Sequence, residues 1–256
     1  MPNDRSIAAR PSHDLAIPTD VDFGVFGATE INEAEDLKTP RLSIAQPTSD
    51  AVLAGQAKPG DFFYAATGRS LGAKVRFQII GFWMGRTYFD DRKVICRSYD
   101  LVMGDPGFED AHGNPTTLCA SCVASKWHGR TEPPACDKTY NYAVLVSTEA
   151  DPNRKHLAYM ALRRTDTDLA KRLNGDHVAD GKPWFAYLYE ASTLRQSNEK
   201  GNWFIYQATR LEGEADAETQ REAHQQATQL VERIKASGIA AVIEADDATK
   251  DGEIPV

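Results

Sequence analysis

Several features are missing from this 256-residue chain, and each absence removes a class of function. No run of about 18 apolar residues occurs, which excludes a membrane-spanning helix. No P-loop, G-x-S-x-G or H-E-x-x-H motif is present, so the common nucleotide, acyl-transfer and zinc-protease signatures are missing. The six histidines, His13, His112, His128, His156, His177 and His224, are scattered. Cysteine is scarce too: there are only four, and all lie between residues 96 and 136. No secretory signal is recognised, so disulfides are not the expected use of these thiols.

The four are Cys96, then Cys119 and Cys122 as a C-x2-C pair, then Cys136. Between them stand Gly104, Pro106, Gly107, Gly113, Pro115, Gly129, Pro133 and Pro134. So many turn formers exclude a long helix or a regular sheet, and another source of order is needed. One zinc ion held by four thiolates at about 2.3 Å supplies it. The tight turn of C-x2-C brings two sulfurs to one side, while Cys96 and Cys136 come from flanking strands. Three alternatives stand beside this: a histidine (His112 or His128) in place of one cysteine, a thioredoxin-like redox pair, and no metal. The redox pair lacks a surrounding βαβ pattern. A zinc deaminase would need H-x-E ahead of P-C-x-x-C, which is absent. A closed four-thiolate site has no open position for catalysis, so the expected zinc is structural and the chain is expected not to be an enzyme.

The net charge of −8 is unevenly spread. Residues 1–38 carry 8 acids and 3 bases, residues 213–243 carry 5 and 3, and residues 244–256 carry 5 and 1. Residues 39–212 keep 19 acids and 22 bases, a slightly basic body between acidic ends. That layout suits a nucleic-acid binder, and it also suits an ordinary domain with solvated acidic termini.

Residues 1–38 read as a flexible acidic arm and 39–212 as one β domain with the cysteine loop 96–136 inserted. Residues 213–243 form a C-terminal helical segment, and 244–256 a disordered acidic tail. Strands are expected at Pro40–Gln46, from Phe62, over Lys74–Phe89, and over Tyr140–Ser147. Lys155–Arg163 follows across a turn at Asp151-Pro152-Asn153. A last hairpin pairs Trp184–Ser192 with Trp203–Leu211 across the loop Arg195–Asn202. Gly81 and Gly85 inside the longest strand suggest a bend or bulge. A short helix runs from Asp166 to Leu173 and stops at Gly175. Ala217–Ala236 is a second helix, with a narrow apolar stripe of Leu230, Val231 and Ile234. Six or seven strands fit a mainly β protein: an OB-type Greek-key barrel with a C-terminal helix, or a sandwich.

Binding a single strand requires cations for phosphates and flat side chains on which bases stack. Lys74, Arg76, Arg86, Arg92, Lys93, Arg97, Lys126 and Arg130 supply the first, and Tyr88, Tyr99 and Trp127 the second. Alternation along the longest strand places Trp83 with Phe77 and Ile79 on the core side, opposite Arg76, Gln78, Phe82 and Arg86. Asp90, Asp91 and Glu109 could hold magnesium in a nuclease, but read more simply as loop charges.

Asp251, Glu253, Ile254 and Pro255 resemble the C-terminal peptide of bacterial single-stranded DNA-binding proteins, with Gly252 where an acid is usual and Val256 in place of the terminal Phe. Pro40-Arg41-Leu42, Cys96-Arg97-Ser98 and C-x2-C followed by Trp127 resemble phage-encoded single-stranded DNA-binding proteins. Zinc within an OB-type barrel is similar to the helix-destabilising protein of T-even phages. That protein spaces its ligands differently and uses a histidine, so the likeness there is architectural. The resemblance covers residues 39–211 and the tail. It implies sequence-independent binding of single-stranded DNA in phage replication or recombination, a zinc ion, and cytoplasmic action in the bacterial host. It also implies that Asp251, Glu253, Ile254, Pro255 and Val256 recruit partner proteins. The alternative functions are a zinc-stabilised structural or adaptor protein and a metal-dependent nuclease.

Overall fold

A computed structural model describes residues 39–90, 93–129, 131–199 and 201–243. Arg92, Arg130, Asp91, the acidic arm and the whole tail, including Asp251, Glu253, Ile254, Pro255 and Val256, lie outside the described residues. The protein is mainly β. Its strands are β1 (Arg41–Ile44), β2 (Phe62–Tyr64), β3 (Ser70–Gly72), β4 (Val75–Asp90), β5 (Lys93–Ser98), β6 (Met103–Glu109), β7 (Pro115–Leu118), β8 (Cys136–Thr148), β9 (Asp151–Arg163), β10 (Leu188–Asn198) and β11 (Gly201–Arg210). The α-helices are α1 (Asp50–Leu53), α2 (Thr167–Asp180), α3 (Ala217–Ser237) and α4 (Ile239–Val242).

The strands form one mixed sheet in the order β3-β2-β1-β9-β8-β4-β5-β6-β7, with β10 pairing both β4 and β11. Only β1–β9 is parallel among the named pairs. β4 organises the rest. One edge pairs with β8 along its length; the other pairs with β10 at Val75–Gln78 and with β5 at Arg86–Asp90. A strand can serve two partners on one edge only if it bends between them. The bend is a bulge: Ile79 faces Val144 and Gly81 faces Ala143, so Ile80 is one residue extra.

The extra residue also reverses the alternation. Val75, Phe77 and Ile79 point into the main core with Leu42, Phe62, Tyr142, Val144, Met160 and Leu162. Past the bulge Phe82, not Trp83, packs on that core. Ile80 and Trp83 turn to the opposite, outer face. This corrects the expected grouping, which carried one parity through Gly81 unchanged.

α2 spans the main core with Leu169, Ala170 and Leu173, and the Tyr142 hydroxyl lies 2.7 Å from Asn174 Oδ1 and 3.1 Å from Ala170 O. It is longer than its expected extent. Gly175 is tolerated in mid-helix, and the stop is Gly181 in the left-handed region (φ 61°), whose N–H bonds His177 O. Strands are also longer than turn residues suggested. Asp151, Pro152 and Asn153 open β9, and β10 and β11 continue to a tight turn where Asn198 faces Gly201. Trp184–Ala186 is a 3-10 turn rather than strand. The cysteine loop holds two short strands, β6 and β7, between β5 and β8, and the described strands total eleven.

No backbone ladder joins β11 to β1 among the described residues, and side chains span the gap. The Gln46 carboxamide accepts from Phe204 N and donates to Phe204 O, both at 2.8 Å, as a paired strand residue would. The Tyr206 hydroxyl donates to Leu42 O at 2.6 Å and Thr193 Oγ1 to Gly60 O at 2.9 Å. On the outer face α3, capped by Asp216 through Glu218 N and Thr219 N, lays Ala223, Ala227, Leu230 and Ile234 on Ile80, Ala143, Leu145 and Trp83. Its contact stripe uses alanines where Val231 was expected, and Val231 stays exposed.

Asp166 is buried beside α2, accepting Tyr206 N–H at 2.9 Å. Burial pushes its carboxyl up to about 7, against the opposing pull of that N–H and the positive Arg163. An unfolded aspartate titrates near 4, so between about pH 4 and 7 the folded state holds the extra proton. Its contribution is present below pH 4 and lost as pH rises through 7. Asp166→Asn keeps an acceptor for Tyr206 and removes the titration. Urea unfolding at pH 5 and pH 8 should show the wild type losing ~2 kcal/mol more than the variant over that interval; equal losses would refute the assignment.

Candidate nucleic-acid interface

In the outer half of β4, Tyr88 is in register with Cys96 on β5 and with Cys136 on β8. Register partners share a face, so both thiols stand beside Tyr88. Cys119 and Cys122 come from the turn after β7. That turn is fixed by Cys119 N–H to Val102 O (2.9 Å), Cys122 N–H to Leu118 O (3.1 Å), and the Ser125 hydroxyl against the carbonyls of Cys119 (2.6 Å) and Cys122 (2.9 Å). All four cysteines are buried and unpaired by disulfides, and all four line one pocket of about 10 Å³, the room of a single water-sized sphere. Among the described residues no group of three or more His, Cys, Asp or Glu side chains is set to hold a metal ion. His112 and His128 are exposed and line no part of this pocket.

Burial pushes the Cys136 thiol up to about 12, opposed by the Arg86 guanidinium and reinforced by the other three thiols. Burial raises Cys96 as well. Arg86 donates to Cys136 O at 3.2 Å and Ser125 O at 3.4 Å, and Tyr88 packs edge-on against Phe108 at 4.9 Å. These two side chains are thus engaged in holding the cysteine unit. Beyond its 3-10 turn (Val123–Ser125), the unit presents Lys126 and Trp127 to solvent, the indole 61% exposed.

The remaining candidate contacts do not form one patch. Lys74 and Arg76 lie at the other end of β4, about 30 Å of strand from Arg86, and both approach Glu190 (3.3 and 3.9 Å). Lys93 is exposed on β5, in register with Asp90. Arg97 and Tyr99 alternate with Cys96 and Ser98, so they face the outer side of the sheet, away from Arg86 and Tyr88.

On that outer side, α3 covers the sheet as far as Trp83 and the chain leaves α4 at Ile243. Beyond lies an open groove lined by Gly85, Thr87, Arg97, Tyr99, Thr139, Asn141, Tyr159 and Ile243. Gly85 is required here: a Cβ would meet Ser98 O at 2.5 Å, so its absence lets β4 and β5 close up. Two cation–π pairs occur on this side. Arg97 stands 5.8 Å from the Tyr99 ring, to whose hydroxyl it donates at 3.2 Å, and Arg163 stands 4.8 Å from the Phe89 ring. Arg163, Thr139, Asn141 and Tyr159 were not singled out from the sequence. Strand alternation opposite Tyr140, Tyr142 and Leu162 was the signal that could have found them.

Residues 108–240, just over half of the chain, match the family model of the Pam3 phage gp34-like protein. The chain belongs to the Pam3 phage gp34-like family. The matched span of this gp34-like protein begins within β6 and ends within α4, so it includes three of the four cysteines and the β8–β9 floor of the groove. No curated protein and no solved structure matches the chain.

Gly104 tests how closely the cysteine unit is built. A Cβ there would lie 2.7 Å from Cys96 Sγ and 3.9 Å from Cys119 Sγ. Gly104→Ala should destabilise the protein by about 1–3 kcal/mol, read as a lowered thermal midpoint. An unchanged midpoint would mean that the sulfurs have room to move.

Proposed function

We propose that this protein binds single-stranded DNA independently of sequence, in phage DNA replication or recombination. The observation that carries the reading is the outer face of the sheet, where Arg97 with Tyr99 in the groove and Arg163 with Phe89 outside its lining supply cations beside flat rings. Arginine attracts phosphate, and bases stack on aromatic faces at roughly 1–3 kcal/mol each. Trp127 and Lys126 offer the same combination on the cysteine unit, exposed to solvent. Lys93 and the undescribed Arg92 and Arg130 lie in the same stretch of sequence. The family is one of phage proteins, consistent with this role and with action in the host cytoplasm.

An OB-type barrel is the architecture we assign. Its support is the bent β4 shared between β8 and β10, the succession β4-β8-β9, helix α2, then β10-β11, and the side chains linking β11 back to β1. A structural zinc is the cofactor we assign to Cys96, Cys119, Cys122 and Cys136. Four buried cysteines lining one pocket, without disulfides or a lining histidine, are the residue types that suit a tetrahedral ion, provided their sulfurs close on it. Bound there, zinc would fix the turn that carries Lys126 and Trp127. The acidic tail, with Ile254, Pro255 and Val256 at its end, is assigned to partner recruitment. There an apolar terminus and preceding acids suit a small basic pocket.

Tryptophan fluorescence titrated with oligo-dT at two salt concentrations tests the main claim. Quenching is expected, with log affinity falling against log salt by about 0.7 per phosphate contacted. Absence of salt-sensitive binding would refute it and favour the adaptor alternative. Metal analysis of the purified chain should find one zinc per molecule, and Cys119→Ser should lose both the metal and several degrees of thermal midpoint. A metal-free wild type with full stability would overturn the cofactor assignment.

A further inference from the structure

The floor of the outer groove holds two polar side chains that the cation–π pairs do not explain. Thr139 and Asn141 are neighbours on the outer face of β8, 3% and 8% exposed, and both line the groove. The Thr139 hydroxyl is buried with no hydrogen-bond partner. The Asn141 carboxamide makes no side-chain hydrogen bond among the described residues either, and its Nδ2 lies beside Gly85, 3.5 Å from where a Cβ would stand. A buried polar group without a partner costs about 1–3 kcal/mol, which is seldom kept without use. Here the unused groups are a donor–acceptor amide and a hydroxyl, set between the Tyr99 ring, the Arg97 guanidinium and Tyr159. The groove's own volume is about 20 Å³, so a ligand would lie across its open mouth and present only an edge to these groups. These features suit one flat molecule with hydrogen-bonding edges, flanked by an anionic group.

We infer that the groove receives a single nucleobase of the bound strand and reads its edge through Asn141 and Thr139. The base stacks against Tyr99, its phosphate meets Arg97, and its edge satisfies the two unpartnered groups. An amide offers one donor and one acceptor side by side, and adenine presents the matching N6 amino and N7. One base-selective position would then sit within an otherwise sequence-tolerant contact. The inference rests on the single-stranded DNA reading, but the two can fail separately.

The test uses the full chain and four homopolymers, oligo-dA, oligo-dC, oligo-dG and oligo-dT, of one length at one salt concentration. In parallel, the Asn141 side-chain amide signal is followed by NMR against the four deoxynucleoside 5′-monophosphates. The wild type should favour oligo-dA by about fivefold or more. Asn141→Ala and Thr139→Val should each shrink that spread, while Arg97→Ala should weaken all four alike. Thermal melts establish that the variants fold, and the NMR arm needs no variant. Binding to all four strands with less than a twofold spread, or a spread that Asn141→Ala leaves intact, overturns the base pocket and leaves strand binding standing. No strand binding together with a shifted Asn141 signal overturns the strand reading and keeps a nucleobase pocket, for a free nucleotide. No response in either arm overturns both.

Discussion

One inserted residue governs this molecule. Without Ile80 as an extra step between Ile79 and Gly81, β4 could not turn from β10 to β5 along a single edge. The same step hands the inner face from odd to even positions. Phe77, Ile79 and Phe82 therefore share one core, and Ile80 and Trp83 are left for α3. Downstream, the shifted parity puts Tyr88 on the cysteine side and Thr87 on the groove side. Both candidate regions take their facing from the bulge.

The two regions depend on different forces. The groove is built on a regular ladder, where strand register alone sets Thr139 and Asn141 beside Arg97 and Tyr99. The cysteine unit has little apolar area of its own: Cys122, Ala124 and Cys136 form its buried cluster, with Tyr88 and Phe108 against it. So small a core orders little chain by burial alone, and hydrogen bonds from Ser125 and Arg86 supplement it.

Much of the fold was legible because β-branched and aromatic residues crowd its long strands. Lys74–Phe89, Tyr140–Ser147 and Ala217–Ala236 could be placed to within a few residues from propensity and period. Turn residues misled where neighbouring strands overrode them: Pro152 sits in β9 and Gly175 within α2. The cost of an interior glycine is met here by the buried Leu169, Ala170 and Leu173 before it, and the helix runs on to the Gly181 stop. The convergence of the cysteines on one pocket was readable from their number and spacing. The groove was not, because it needs β5, β8 and β9 side by side, and no local pattern announces that three distant segments share a register. Arg97 and Tyr99 could be selected by residue type. Their separation from Arg86 and Tyr88 follows only from pairing.

Thr39 and Ile243 meet as a parallel bridge, with Thr39 N–H on Val242 O at 2.7 Å, and Ile243 also forms part of the groove wall. The folded body therefore has a single hem, where the segment carrying a net −5 and the segment carrying a net −4 are both sewn on. The two acidic segments, far apart in the linear chain, thus join the body at neighbouring residues, one of which, Ile243, lines the groove with Arg97.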